Sequence, residues 1–218
     1  RVAREGASTL ARFDVASGAV TELTPPRADL VGGSADTGAK RWVFTLGTVH
    51  TPGDLTSFDA DTGALRPLWA PNEAMLNAFP RSEVEEFWYP SFDGQRIQAW
   101  IVKPPDFDAG RKYPLVPETH GGRHTAYGNG FFHEFHHLAA SGYVVVYTNP
   151  RGSTTYGSDF ANVIQYQFPS DDGRDLLAAV EAVVAKGYVD EARIGVTGGS
   201  YGGLMTNWLV CNSKRFAA

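Results

Sequence analysis

The 218-residue sequence predicts an α/β fold, a doubly wound and mostly parallel sheet, preceded by a smaller all-β region. Three observations carry that prediction. From about Arg81, apolar β-branched segments alternate with helical ones. The first eighty residues instead repeat a strand, turn and strand unit. The run Thr197-Gly198-Gly199-Ser200-Tyr201-Gly202-Gly203 lies where a short apolar strand hands over to a helix. The expected domains are therefore residues 1–80 and 81–218.

Within the first region, Leu10, Phe13, Asp14, Gly18 and Leu23 recur as Leu55, Phe58, Asp59, Gly63 and Leu68, every pair 45 residues apart. Each copy places an Asp-x-x-(Ser/Thr)-Gly turn between two strands, and Arg41 to Thr48 supplies a further strand between the copies. Such a period is what one β-propeller blade per repeat produces, so the last one to two blades of a propeller are expected here. Two unrelated hairpins with the same turn chemistry would give the same pattern.

In the second region, Phe87 to Phe92 and Arg96 to Val102 flank the turn Asp93-Gly94 as a hairpin, and Pro104-Pro105 ends it. Tyr113 to Thr119 is a strand, Phe131 to Ala140 a helix, Tyr143 to Thr148 a strand, Asp171 to Lys186 a helix and Arg193 to Thr197 a strand. Right-handed βαβ crossovers then cover both faces of the sheet. Pro117 cannot donate to a ladder, so irregular pairing is expected there.

The composition is that of a globular protein, with 43% apolar and 12% aromatic residues. A formal charge of -5 without any Lys/Arg run argues against nucleic acid or an anionic membrane as partner and favours small or neutral ligands. Homo-oligomerisation stays open. Cys211 is the single cysteine, which points to a reducing compartment, the cytoplasm, and to a buried apolar role on the last helix. No membrane span or signal peptide is recognisable, although residue 1 is Arg.

Ser200, on a tight strand-to-helix turn between glycines, is the candidate nucleophile of a nucleophile elbow. A serine nucleophile needs an oxyanion hole. His120-Gly121-Gly122 ends the strand before the first crossover helix, where an α/β-hydrolase places a loop amide opposite the amide after the nucleophile. Gly122 and Tyr201 N–H are the candidate donors, each worth roughly 10²–10³ in turnover, and the positive end of the helix that follows adds to them. The fold class sharpens to the N-terminal part of an α/β-hydrolase.

Asp175, Ala179 and Val183 share one helix face ahead of Gly198-Gly199-Ser200-Tyr201-Gly202-Gly203-Leu204-Met205. Together with His120-Gly121-Gly122, Phe132-His133-Glu134-Phe135, Asn149-Pro150-Arg151-Gly152-Ser153 and Tyr156-Gly157, this resembles the prolyl oligopeptidase family of serine peptidases, the acylaminoacyl-peptidase branch in particular. The resemblance covers roughly Arg81 to Ala218, and Arg123 stands where the family pattern has proline. It implies attack by Ser200 on a peptide carbonyl, a His as general base and an Asp orienting it, both after the serine, with no cofactor. Tyr201 to Ala218 contains neither Asp nor His. A serine deprived of its base loses on the order of 10⁶ in turnover. The chain is therefore expected to be one segment of a longer polypeptide whose other segments supply Asp and His, acting on short peptides.

His120, Arg151 and Tyr156 are candidates for the substrate cleft, with Tyr127 nearby. Arg151 is better read as pairing with a carboxylate such as Asp171 or Asp172. Two other enzyme readings are an esterase or thioesterase using the same elbow, and a zinc peptidase, because His133-Glu134-Phe135-His136-His137 satisfies His-Glu-x-x-His. Against zinc, Phe132, Phe135, Leu138 and Ala139 form an apolar stripe with the histidines on its flank, and no third ligand motif follows. A non-catalytic processed fragment is the reading outside enzymes.

Overall fold

A computed structural model describes all 218 residues. They divide into two compact units, residues 1–80 with 128–132, and residues 81–127 with 133–218.

The first unit is all-β apart from one turn of helix. Its strands are β1 (Val2–Arg4), β2 (Ala7–Thr9), β3 (Ala11–Phe13), β4 (Val20–Glu22), β5 (Asp29–Ala35), β6 (Arg41–Thr48), β7 (Thr51–Asp59) and β8 (Leu65–Trp69), followed by α1 (Glu73–Asn77). Strands β5 to β8 form an antiparallel meander, β1 and β2 extend it, and β3 pairs with β4 as a separate hairpin. The repeated turns are built alike. Asp14 Oδ1 accepts from Ser17 N–H and O–H, both at 2.7 Å, and Asp59 Oδ1 accepts from Thr62 N–H and O–H, both at 2.9 Å. Gly18 and Gly63 follow at φ +73° and +74°, values that favour glycine. Leu10, Leu30, Phe44 and Phe58 form the core of this unit.

The second unit is a sheet of β9 (Val84–Pro90), β10 (Arg96–Val102), β11 (Tyr113–Thr119), β12 (Val144–Asn149), β13 (Val189–Ile194) and β14 (Thr197–Gly198). The strand order is β9-β10-β12-β11-β13, with β14 continuing beyond β13 along β11. The sheet is mixed. A hairpin with Gly94 at φ +87° reverses the chain between β9 and β10, which pair antiparallel; β10 also pairs antiparallel with β12, whereas β12, β11, β13 and β14 are parallel. Helices α2 (His133–Ala140), α3 (Ser158–Asn162), α4 (Asp171–Val184) and α5 (Tyr201–Asn212) complete the unit.

Period-two alternation assigns both faces. Ile97, Ala99 and Ile101 with Val144 and Val146 meet Ala179, Val180 and Val183 of α4. Trp100, Val102, Val145 and Tyr147 meet Phe135 and Ala139 of α2. Helix α2 starts two residues later than the expected Phe131, leaving Phe132 exposed.

The strand anticipated at Arg193 to Thr197 is interrupted between Ile194 and Thr197. Gly195 N–H donates to Leu115 O at 2.9 Å, so two residues on, Pro117 turns its missing donor toward this lapse in the ladder. Cys211, anticipated as buried, is exposed. Tyr201, Met205 and Leu209 form the buried stripe of α5, and Cys211 lies two residues, about 200°, around the helix from it.

Candidate functional site

Three loops leave the C-terminal ends of the parallel strands, the edge at which open α/β sheets bind ligands. Residues 120–125 follow β11, residues 150–157 follow β12 and Gly199-Ser200 follows β14.

Ser200 caps α5 at φ 58°, ψ -117°, a conformation that costs a non-glycine residue about 1–3 kcal/mol. Packing enforces it. A Cβ on Gly202 would lie 2.0 Å from Thr119 O, and one on Gly198 would lie 2.7 Å from the same atom, so the end of β11 rests directly on the turn. Gly202 N–H closes the turn on Gly199 O at 2.8 Å. The residue is exposed, and its hydroxyl hydrogen-bonds to no group of the chain.

The His120-Gly121-Gly122 loop abuts this turn. A Cβ on Gly121 would stand 3.1 Å from Gly199 O and 3.4 Å from Ser200 Cβ. Gly122 has φ +64°, which favours glycine and turns the loop at this point. Tyr201 N–H is in the first turn of α5, where amides lack an intrahelical acceptor. The backbone at Gly121 is thus packed against the elbow.

The Tyr201 side chain points the other way, into the protein. Its hydroxyl donates to Asp172 Oδ2 on α4, and burial, followed by this bond, raises its pKa. Asp172 is fully buried, and its Oδ1 accepts from Ser170 N–H at 2.6 Å and Gly173 N–H at 3.0 Å. A Cβ on Gly173 would meet the Trp208 ring at 2.3 Å, so α4 and α5 are in close contact here.

His120 is buried rather than lining an open cleft. Its Nδ1 lies 3.2 Å from Gly121 O and Gly122 O, and its Nε2 lies 3.0 Å from Ser153 Oγ, which itself donates to Pro150 O. Burial lowers its pKa. This ring ties the glycine loop to the loop after β12.

Arg151 is a brace. Its Nε and Nη2 donate to Asp175 at 2.9 and 2.8 Å, and Nη1 and Nη2 to Asp93 at 2.9 and 3.0 Å. Of the carboxylates anticipated, Asp171 joins the cluster as a longer ion pair at 3.7 Å, whereas Asp172 is engaged by Tyr201; the close partners are Asp175 and Asp93. The guanidinium holds the Asp93 carboxyl at about 2, well below the usual range. Its side chain is 7% exposed and its donors are engaged by carboxylates. Tyr156 is half-buried between Gln98 and Asn149, donating to the former and accepting from the latter.

Glu118, which the sequence reading did not single out, lies on β11 two residues before His120. It is 5% exposed; its Oε1 accepts from Tyr127 O–H at 3.3 Å and its Oε2 has no partner. Burial, then the charge of Glu134, pushes its pKa up to about 7. Only its place beside the His-Gly-Gly run could have drawn attention to it.

Of the six histidines, none hydrogen-bonds to Ser200. His133 and His137 stack at 6.0 Å, and no group of three or more His, Cys, Asp or Glu is placed to hold a metal. No helix is long and apolar enough to cross a membrane.

A family model described as the prolyl oligopeptidase family matches residues 129–218, and one described as acetyl xylan esterase matches residues 72–169. An uncharacterized peptidase of Bacillus subtilis, YuxL, is 42% identical over 70% of this chain and 23% of its own length. Dipeptidyl-peptidase 5 of Porphyromonas gingivalis is 31% identical over 99% of this chain and 32% of its own. The solved structure of Pyrococcus horikoshii acylaminoacyl peptidase superposes with a TM-score of 0.88 at 32% identity, over 98% of this chain and 33% of that one. The chain spans a third or less of the length of these relatives.

Proposed function

This chain belongs to the prolyl oligopeptidase family, and from that premise we propose that it supplies the nucleophile and the oxyanion-binding loops of a serine peptidase acting on short peptides. The observation that carries the reading is the exposed, strained Ser200 set against Gly121, with a hypothetical Gly121 Cβ only 3.4 Å from Ser200 Cβ. Ser200 Oγ attacks the scissile carbonyl. The Gly122 and Tyr201 amides receive the oxyanion, the amine leaves, and water hydrolyses the acyl-enzyme. The general base and the carboxylate that orients it come from polypeptide outside these 218 residues.

In this reading residues 1–80 are propeller blades, and residues 81–218 are the N-terminal part of the catalytic domain. The meander β5 to β8 supports one complete blade, and β1 to β4 the outer strands of the blade before it. Acylaminoacyl peptides and oligopeptides are the proposed substrates. The single cysteine favours a reducing cytoplasm.

In the intact protein, a fluorophosphonate should label Ser200 and Ser200→Ala should abolish labelling. Hydrolysis of an acetyl-amino-acid anilide is the decisive activity. The second reading, an esterase, rests on the acetyl xylan esterase match, and cleavage of a matched ester without cleavage of the anilide would establish it.

A further inference from the structure

We propose that Arg123 is a specificity residue that receives a carboxylate of the substrate beside the scissile bond; this rests on the serine peptidase reading. Arg123 directly follows Gly122 and is half-buried. Its guanidinium carbon lies 3.9 Å from the centre of the Phe168 ring, and Phe168 packs edge-on against Tyr201 with centroids 6.2 Å apart. The cation is therefore held beside the two loops that carry the candidate oxyanion amides.

The same arrangement occurs elsewhere in this unit in complete form. Arg151 and Arg174 lie over Phe92 at 4.9 and 3.2 Å, and each also meets carboxylates, Asp93 and Asp175 for the first and Asp171 for the second. Arg123 has the aromatic face without the carboxylate. Its guanidinium makes no ion pair or hydrogen bond with any group of the chain. The acidic groups of neighbouring α4 are already engaged, Asp172 by Tyr201 and two backbone amides, Asp171 by Arg174.

A guanidinium resting on an aromatic ring loses water from one face while its in-plane donors stay available as a fork. A planar carboxylate is the acceptor that matches this fork. The positive end of the 12-residue helix α5 favours the same charge nearby. Against a net charge of -5, this local cation offsets the repulsion that an anionic substrate meets. The carboxylate can come from an acidic side chain next to the scissile bond or from the free C-terminus of a short leaving segment.

The test uses the intact protein and matched substrate pairs. One arm compares an acyl dipeptide ending in a carboxylate with its carboxamide; the other compares peptide amides carrying Glu or Gln next to the scissile bond. We expect a preference in kcat/KM of about tenfold for the acid in at least one arm, weakening with salt and falling to near one in Arg123→Gln. The arm that shows it identifies the source. Because the acid-to-amide ratio is taken within each variant, a general loss of folding cancels. Ratios near one in both arms of the parent, or a preference that survives Arg123→Gln, overturn the proposal. Should the intact protein cleave esters but no peptide, the peptidase reading fails separately, and the same ratio is read on the ester pairs.

Discussion

Arg151 and Ser200 follow strands on either side of β11, and their surroundings are opposite in kind. Around Arg151 every charge meets a partner. The guanidinium and backbone N–H converge on Asp175, which also accepts from Ser91, and the residue is 6% exposed. Ser200 is exposed, held at φ 58° and unpartnered at its hydroxyl. Interaction energy accumulates around the first residue and strain around the second. A strained, open serine persists because the end of β11 and the Tyr201–Asp172 contact over-determine its turn. The contrast teaches that the rigidity needed at the elbow comes from the buried network around it.

The largest expected effect breaks the saturated side of this comparison. Asp175→Ala leaves Arg151 buried with one carboxylate partner fewer and should destabilise the intact protein by about 3–5 kcal/mol in urea denaturation followed by tryptophan fluorescence. A loss below about 1 kcal/mol would mean that the network contributes little.

Next comes the link between the two regions. Tyr201→Phe removes a hydrogen bond to a buried carboxylate, which should cost about 1.5–3 kcal/mol and slow fluorophosphonate labelling of Ser200. Unchanged labelling would separate the Asp172 contact from the placement of the elbow.

Glu118 gives a pH-dependent test from beneath the glycine loop. The folded carboxyl keeps its proton up to about pH 7, whereas the unfolded chain releases it near the ordinary glutamate value of 4.5. Folding therefore takes up a proton between these values, and stability falls as pH rises through that window. Glu118→Gln should remove this component, so that the variant loses a few °C less in Tm than the parent between pH 5 and pH 8. Parallel Tm profiles for the two proteins would refute the assignment.

The smallest effect has the opposite sign. Ser200→Gly relieves the positive φ and should stabilise the protein by about 1 kcal/mol while abolishing labelling. A destabilised variant would show that the turn is not strained.

The elbow and its companion loop were legible because their signal is local. Glycines spaced around Ser200, and His120-Gly121-Gly122 at a strand end, declare tight turns wherever they occur. Gly94, Gly18 and Gly63 did the same for the hairpins. The partners of Arg151 were not legible, since 24 acidic residues were available and only the sheet register brings Asp93, 58 positions away, to its side. Cys211 was misplaced for a related reason: an apolar helix shows which residues can be buried, and packing chooses which are.

By itself, then, the sequence determined the order of strands and helices, the repeated Asp-turn hairpins and the position of the candidate nucleophile, because periodicity and turn chemistry act over a few residues. Only the tertiary structure decided that Tyr201 reaches Asp172, that Arg151 serves as a brace, that Glu118 is buried and that Arg123 lies on Phe168. Those contacts depend on which segments the sheet and its crossover helices bring within a few ångströms, and residues far apart in the chain carry no mark of that proximity.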